Sequence, residues 1–89
     1  MTDYIIDING QEILIENVQS DYRTRFGSQL RDVRTGLGIT QSALSRMADI
    51  ERSNITRIEN GQYNLSLGLM VKLARALGKD LEIRFTDRD

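Results

Sequence analysis

Residues 41–60 read QSALSRMADIERSNITRIEN. Thr40 caps a short helix through about Ala48, with Leu44, Met47 and Ala48 recurring at the spacing of one buried helical face. A second short helix runs to about Asn60 with Ile55 and Ile58 on one face, and Gly61 beyond it supplies the positive φ that ends helices. Two such helices hold a fixed crossing angle only if their contact is apolar, and Leu44, Ala48, Ile50, Ile55 and Ile58 stand at those places. The turn between them needs a residue tolerant of left-handed dihedrals, where Asp49 stands, and a small residue where backbones approach, where Ser45 stands. Turning Ile55 and Ile58 inward leaves Arg52, Ser53, Thr56 and Arg57 outward.

Working outward, Phe26, Leu30, Val33 and Leu37 recur at spacings of four, three and four, one face of a preceding helix. Ser20 or Asp21 is its expected cap, and Gly36 and Gly38 its end. Ser66 caps a helix that turns Leu69, Met70, Leu73, Ala74 and Leu77 inward and stops at Gly78. At the C-terminal end DLEIRFT alternates Leu81, Ile83 and Phe85 with Glu82, Arg84 and Thr86, a half-buried strand. At the other end DYIIDINGQEILIE reads as a β-hairpin: Ile6 and Ile8 flank Asp7, Ile13 and Ile15 flank Leu14, and Asn9-Gly10 suits a type I′ turn. The expected order is ββααααβ, with a hairpin extension over 1–19, a helical unit over 20–79 and a terminal strand over 80–89.

Eighty-nine residues suffice for one domain with a modest core. Cysteine and histidine are absent, which excludes disulfides, thiol chemistry and the usual zinc sites. No catalytic constellation or Gly-rich phosphate loop is present, so neither an enzyme nor a cofactor is implied. No apolar run approaches the roughly 18–20 residues that span a bilayer, and no charged-then-apolar leader opens the chain, which predicts a soluble cytoplasmic protein. The net charge of −1 hides an asymmetry. Residues 1–22 carry five acids and no base, whereas residues 23–75 carry nine bases against four acids. Such a division says more about partners than the total does.

Together FGSQLRDVR, GLGITQSALS, TRIENG and SLGLMVKLARALG resemble the lambda-repressor/Cro-like (XRE) helix-turn-helix family from about Phe26 to Leu77. The resemblance implies a mainly α, lambda-repressor-like domain of four or five helices, here with an N-terminal hairpin and a C-terminal strand. The family usually has Gly at Asp49, Ala at Ser45 and Pro at Leu65, and it continues into a fifth helix where this chain turns to strand.

The resemblance also implies residue roles. Arg52, Ser53, Thr56 and Arg57 would meet base edges in the major groove. Gln41, Asn54 and the loop residues Asn60, Gly61, Gln62 and Asn64 would meet phosphates, with Tyr63 adding its hydroxyl. Arg34 and Glu59 would form a structural ion pair, and Glu59 is excluded from DNA contact because phosphates repel a carboxylate. The implied function is a cytoplasmic, nucleoid-associated repressor that binds a double-stranded operator palindrome as a homodimer. The alternative is a HipB-like antitoxin that also binds a toxin protein. Restriction-system controllers are usually helical throughout, so the terminal strand argues against that group. Both apolar strand faces need cover, and pairing of strands between two chains is favoured over a three-stranded sheet within one chain.

Overall fold

The computed structural model describes residues 2–8, 11–15 and 19–87, with side chains from Tyr22 to Phe85 and at Asp87. Its elements run β1 (Thr2–Ile8), β2 (Gln11–Ile15), α1 (Gln19–Gly36), α2 (Gln41–Ala48), α3 (Arg52–Glu59), α4 (Leu67–Ala76) and β3 (Leu81–Asp87). The expected order is therefore the observed one. The Asn9-Gly10 turn lies outside the described residues. Ser20 and Asp21, expected as caps, instead lie inside the first turn of α1.

Local chemistry sets the remaining helix ends. Thr40 and Ser66 accept backbone N–H groups of Ala43 and Leu69 at 3.0 and 3.1 Å, each satisfying a donor the first turn would leave orphaned. Asp49 sits at φ 54°, ψ 50°, the left-handed turn its position requires. That conformation lets the N–H of Ile50 return to the Ser45 carbonyl at 2.9 Å and closes α2.

Phe26, Leu30, Leu44, Ile55, Ile58 and Leu73 are fully buried where the four helices meet. At roughly 1.5–3 kcal/mol per such side chain, their burial is the main favourable contribution to this part of the fold. Two expected core residues are exposed. Leu37 follows the last residue of α1, where no further turn of the helix packs against the core, and it is exposed. Met47 is exposed because it lines an open groove between α2 and α4, with Ala48, Gly68 and Val71 around it. Ile50 and Leu69 are half-buried against the core.

The strands form one antiparallel sheet in the order β2-β1-β3. The favoured expectation of pairing between chains is thereby corrected: β1 has two edges, and β2 and β3 of the same chain occupy both. α1 lies against β2 and β1, and α4 meets β3. Register brings Ile83 opposite Ile6, which itself opposes Ile13, and Phe85 opposite Tyr4, which opposes Ile15. These positions share one face of the sheet. Leu81 packs on the helical core, but Ile83 and Phe85 on that same face are 40% and 70% exposed. The half-buried strand expected from the alternation is buried at one end only.

Candidate nucleic-acid interface

α3 is held from behind by a polar cluster. Arg34 of α1 donates to Glu59 through Nε at 2.6 Å and Nη2 at 3.0 Å, a two-pronged pair with both residues buried. Its third nitrogen donates to the Ile39 carbonyl at 2.8 Å. Burial pushes the Glu59 carboxyl up, but hydrogen bonds from Arg34 and Gln41, the charge of Arg34 and a hydrogen bond from Arg31 outweigh it. Glu59 is thus held below its ordinary value and is ionised at neutral pH. Such a pair orients the helix more than it adds net stability.

Close approach makes this geometry possible. A Cβ on Gly27 of α1 would lie 2.2 Å from the Ile58 carbonyl oxygen and 3.0 Å from that of Glu59. Only glycine lets α1 come this near the end of α3. Sequence reading missed this residue, because it sits between core positions without disturbing their period. At the next turn Gly61 has φ +73°, and a Cβ there would meet Thr24, so glycine is required on both counts.

On its outer side α3 brings Arg52, Ser53, Thr56 and Arg57 around one shallow recess. Arg52, Ser53 and Arg57 are exposed and Thr56 is half-buried. Glu51 holds the position before α3 and gives it no side-chain cap. The helix start therefore presents backbone N–H groups and the positive end of the helix dipole outward, which favours an anion.

The expected phosphate contacts divide. Gln41 is half-buried and engaged at both ends: its amide donates to Glu59 Oε1 at 3.1 Å, and its oxygen accepts from Thr56 Oγ1 at 3.0 Å. It couples α2 to α3, with its second amide N–H left to donate. Asn60 and Asn64 accept from Arg31 at 2.9 Å and Arg23 at 3.0 Å, which directs the amide nitrogens of both asparagines elsewhere as donors. Asn54 is half-buried on α3, and Gln62 is exposed in the loop. Arg23 and Arg31 were not singled out from sequence. The fold carries these two α1 cations across 41 and 29 residues to the loop after α3. The basic middle of the sequence thus has a spatial counterpart around α3 and that loop. Arg57 also stands over the Tyr63 ring, its guanidinium carbon 5.3 Å from the centroid.

Among the described residues, no helix is long and apolar enough to cross a membrane, and no cluster of His, Cys, Asp or Glu could hold a metal ion.

A family model described as helix-turn-helix (HTH_3) matches residues 30–83. An uncharacterized HTH-type transcriptional regulator of Haemophilus influenzae is 37% identical over 65 residues, covering 73% of this chain and 66% of that one. Control protein C.MunI of a Mycoplasma species is 32% identical over 69 residues, covering 76% of this chain and 93% of that protein. The crystal structure of the restriction-modification controller protein C.AhdI from Aeromonas hydrophila superimposes with a TM-score of 0.63 at 38% identity. It covers 65% of this chain and 88% of that chain. A restriction-modification controller is therefore among the similar proteins, and the terminal strand does not separate the helical region from that group. The matched span and the geometry of α2 and α3 agree: the chain belongs to the helix-turn-helix family of DNA-binding transcription regulators.

Proposed function

We propose that the protein is a sequence-specific repressor that binds a palindromic operator as a homodimer, acting in the cytoplasm at the nucleoid. The observation that carries this reading is the outer face of α3. Arg52, Ser53, Thr56 and Arg57 line one recess there, on a helix that a buried ion pair holds in place. Arginine can grip guanine O6 and N7 through two N–H groups, while Ser and Thr are less selective and the Thr methyl suits thymine. Gln41, Asn54, Asn60, Gly61, Gln62 and Asn64 flank this face and would meet the sugar-phosphate backbone, setting register. Arg23 and Arg31 add charge beside the loop. Repression follows from the resemblance to lambda-repressor and Cro.

The dimer reading assigns residues 80–89 to association and 20–79 to DNA, with 1–19 as a hairpin extension. The exposed Ile83 and Phe85, and the outer edges of β2 and β3, support it. A two-fold axis through such a contact would set two recognition helices about one DNA turn (~34 Å) apart. Selection of bound duplexes from a random library tests the whole reading. A palindromic consensus with half-sites one turn apart is expected, and a pool without any consensus contradicts it.

A further inference from the structure

We propose that Tyr63 is a positioning residue for sequence readout, its ring orienting Arg57 toward a single base pair. The inference rests on the DNA-reading face proposed above. Arg52 and Arg57 are both exposed and line the same recess, but their surroundings differ. The guanidinium carbon of Arg57 lies 5.3 Å from the Tyr63 centroid, inside the ~6 Å over which an aromatic face attracts a cation. Arg52 has no ring, carboxylate or side-chain hydrogen-bond partner among the described residues.

The ring is placed by its own loop rather than by the arginine. Tyr63 is half-buried against the helical core. Two residues earlier Gly61 turns the chain at φ +73°, and the N–H of Gln62 returns to the Arg57 carbonyl at 2.9 Å. That bond ties the loop to the turn of α3 that carries Arg57. On either flank Asn60 and Asn64 are braced by Arg31 and Arg23. The aromatic face is therefore a fixed platform beside a long, otherwise unrestrained side chain.

Stacking engages the face of a guanidinium and leaves its edge open. Bidentate contact with guanine needs that edge and its paired N–H groups. An arginine already held in a narrow range of rotamers loses less freedom on meeting the base. Tyr63 thus contributes to specificity without touching a base, and its hydroxyl is not required.

The test uses the full chain and a duplex of the selected consensus, with all four base pairs substituted in turn at the position that Arg57→Ala relaxes. Tyr63→Leu retains apolar bulk but removes the aromatic face, and is expected to reduce discrimination at that position about two- to five-fold. Tyr63→Phe should retain it, and in an Arg57→Ala background Tyr63→Leu should have no further effect there. Uniform weakening on all duplexes by Tyr63→Leu, an equal loss in Tyr63→Phe, or no change in either would overturn the proposal. A readout independent of any variant's folding is the ¹⁵N relaxation of the arginine Nε–H groups in the free protein. Arg57 should be more ordered than Arg52, and equal mobility contradicts the inference. If the wild type selects no consensus, the DNA-reading proposal itself fails. If it does and Tyr63→Leu reads like the wild type, only the present inference fails.

Discussion

In the helical region Phe26, Leu30, Leu44, Ile55, Ile58 and Leu73 are all below 2% exposed, while on β3 Ile83 and Phe85 are 40% and 70% exposed. The two regions share a composition of aliphatic and aromatic residues but dispose of it differently. Three short helices and the longer α1 can surround a point, so each turns its stripe inward and the core closes. A three-stranded sheet has two faces and two outer edges, and the helices cover only part of them. The helical unit is thus a rigid scaffold for α3, and the sheet keeps apolar surface exposed at Ile83 and Phe85. Substitutions should separate these roles: behind α3 they should alter folding, and on the sheet they should alter association.

The largest effect is expected at the buried ion pair. Arg34→Met removes one partner and leaves Glu59 buried, which should cost about 3–5 kcal/mol in urea unfolding at neutral pH. A cost under ~1 kcal/mol would mean that Gln41 and Arg31 suffice for Glu59, and that α3 is not held as described.

The same pair predicts a pH dependence. The Glu59 carboxyl is held below its ordinary value in the folded state, so the unfolded chain takes up a proton first as pH falls. Its stabilisation is fully present above about pH 5 and is lost as pH drops through the ordinary carboxylate range toward the folded value. In Arg34→Met, burial without its main partner should raise the Glu59 carboxyl instead. The stability gap between wild type and variant should therefore narrow in acid. A gap constant from pH 7 to pH 3 would show that Glu59 does not carry it.

Gly27→Ala comes next, at about 1–3 kcal/mol, because the new methyl would meet the Ile58 carbonyl, a backbone atom with little room to move. Thermal unfolding checks it. Wild-type stability in this variant would mean that α1 and α3 can separate without loss.

The smallest folding effect belongs to the sheet. Ile83→Ser with Phe85→Ser should cost monomer unfolding about 0.5–1 kcal/mol per site, the worth of a cross-strand side-chain pair. It should nevertheless shift the mass in solution, by light scattering, from dimer to monomer. A stability loss above ~2 kcal/mol would show that the chain itself covers this face, and the contrast between the regions would collapse.

The same contrast divides what was legible in the sequence. Asp49, Thr40, Ser66 and Gly61 announce their roles because caps and left-handed turns are decided within a few residues. The Arg34–Glu59 pair came from resemblance and is present in the fold. Distant contacts were not legible. Gly27 fits the helical period whether or not another helix touches it, and no local pattern marks Arg23 and Arg31 as neighbours of the loop after α3. Gln41 reads as a phosphate contact at a helix start, and its bonds to Glu59 and Thr56 emerge only once α3 is packed beside it. The strand alternation of Leu81, Ile83 and Phe85 shows that a face exists, but a period of two does not say which edge β3 joins. Leu37 and Met47 continue a helical periodicity at positions where the helix has ended or its face meets an open groove.

The most direct test of the central claim, that the outer face of α3 reads duplex DNA, is binding of the selected duplex and an unrelated one at several salt concentrations. Wild type and the Arg52→Ala and Arg57→Ala variants are compared. Wild-type affinity should fall steeply across about 50–200 mM salt, with a log–log slope near 0.9 for each phosphate neutralised. Each alanine variant should lose about 1–3 kcal/mol of preference at its own base pair. An affinity flat with salt, or equal for both duplexes, would contradict the account.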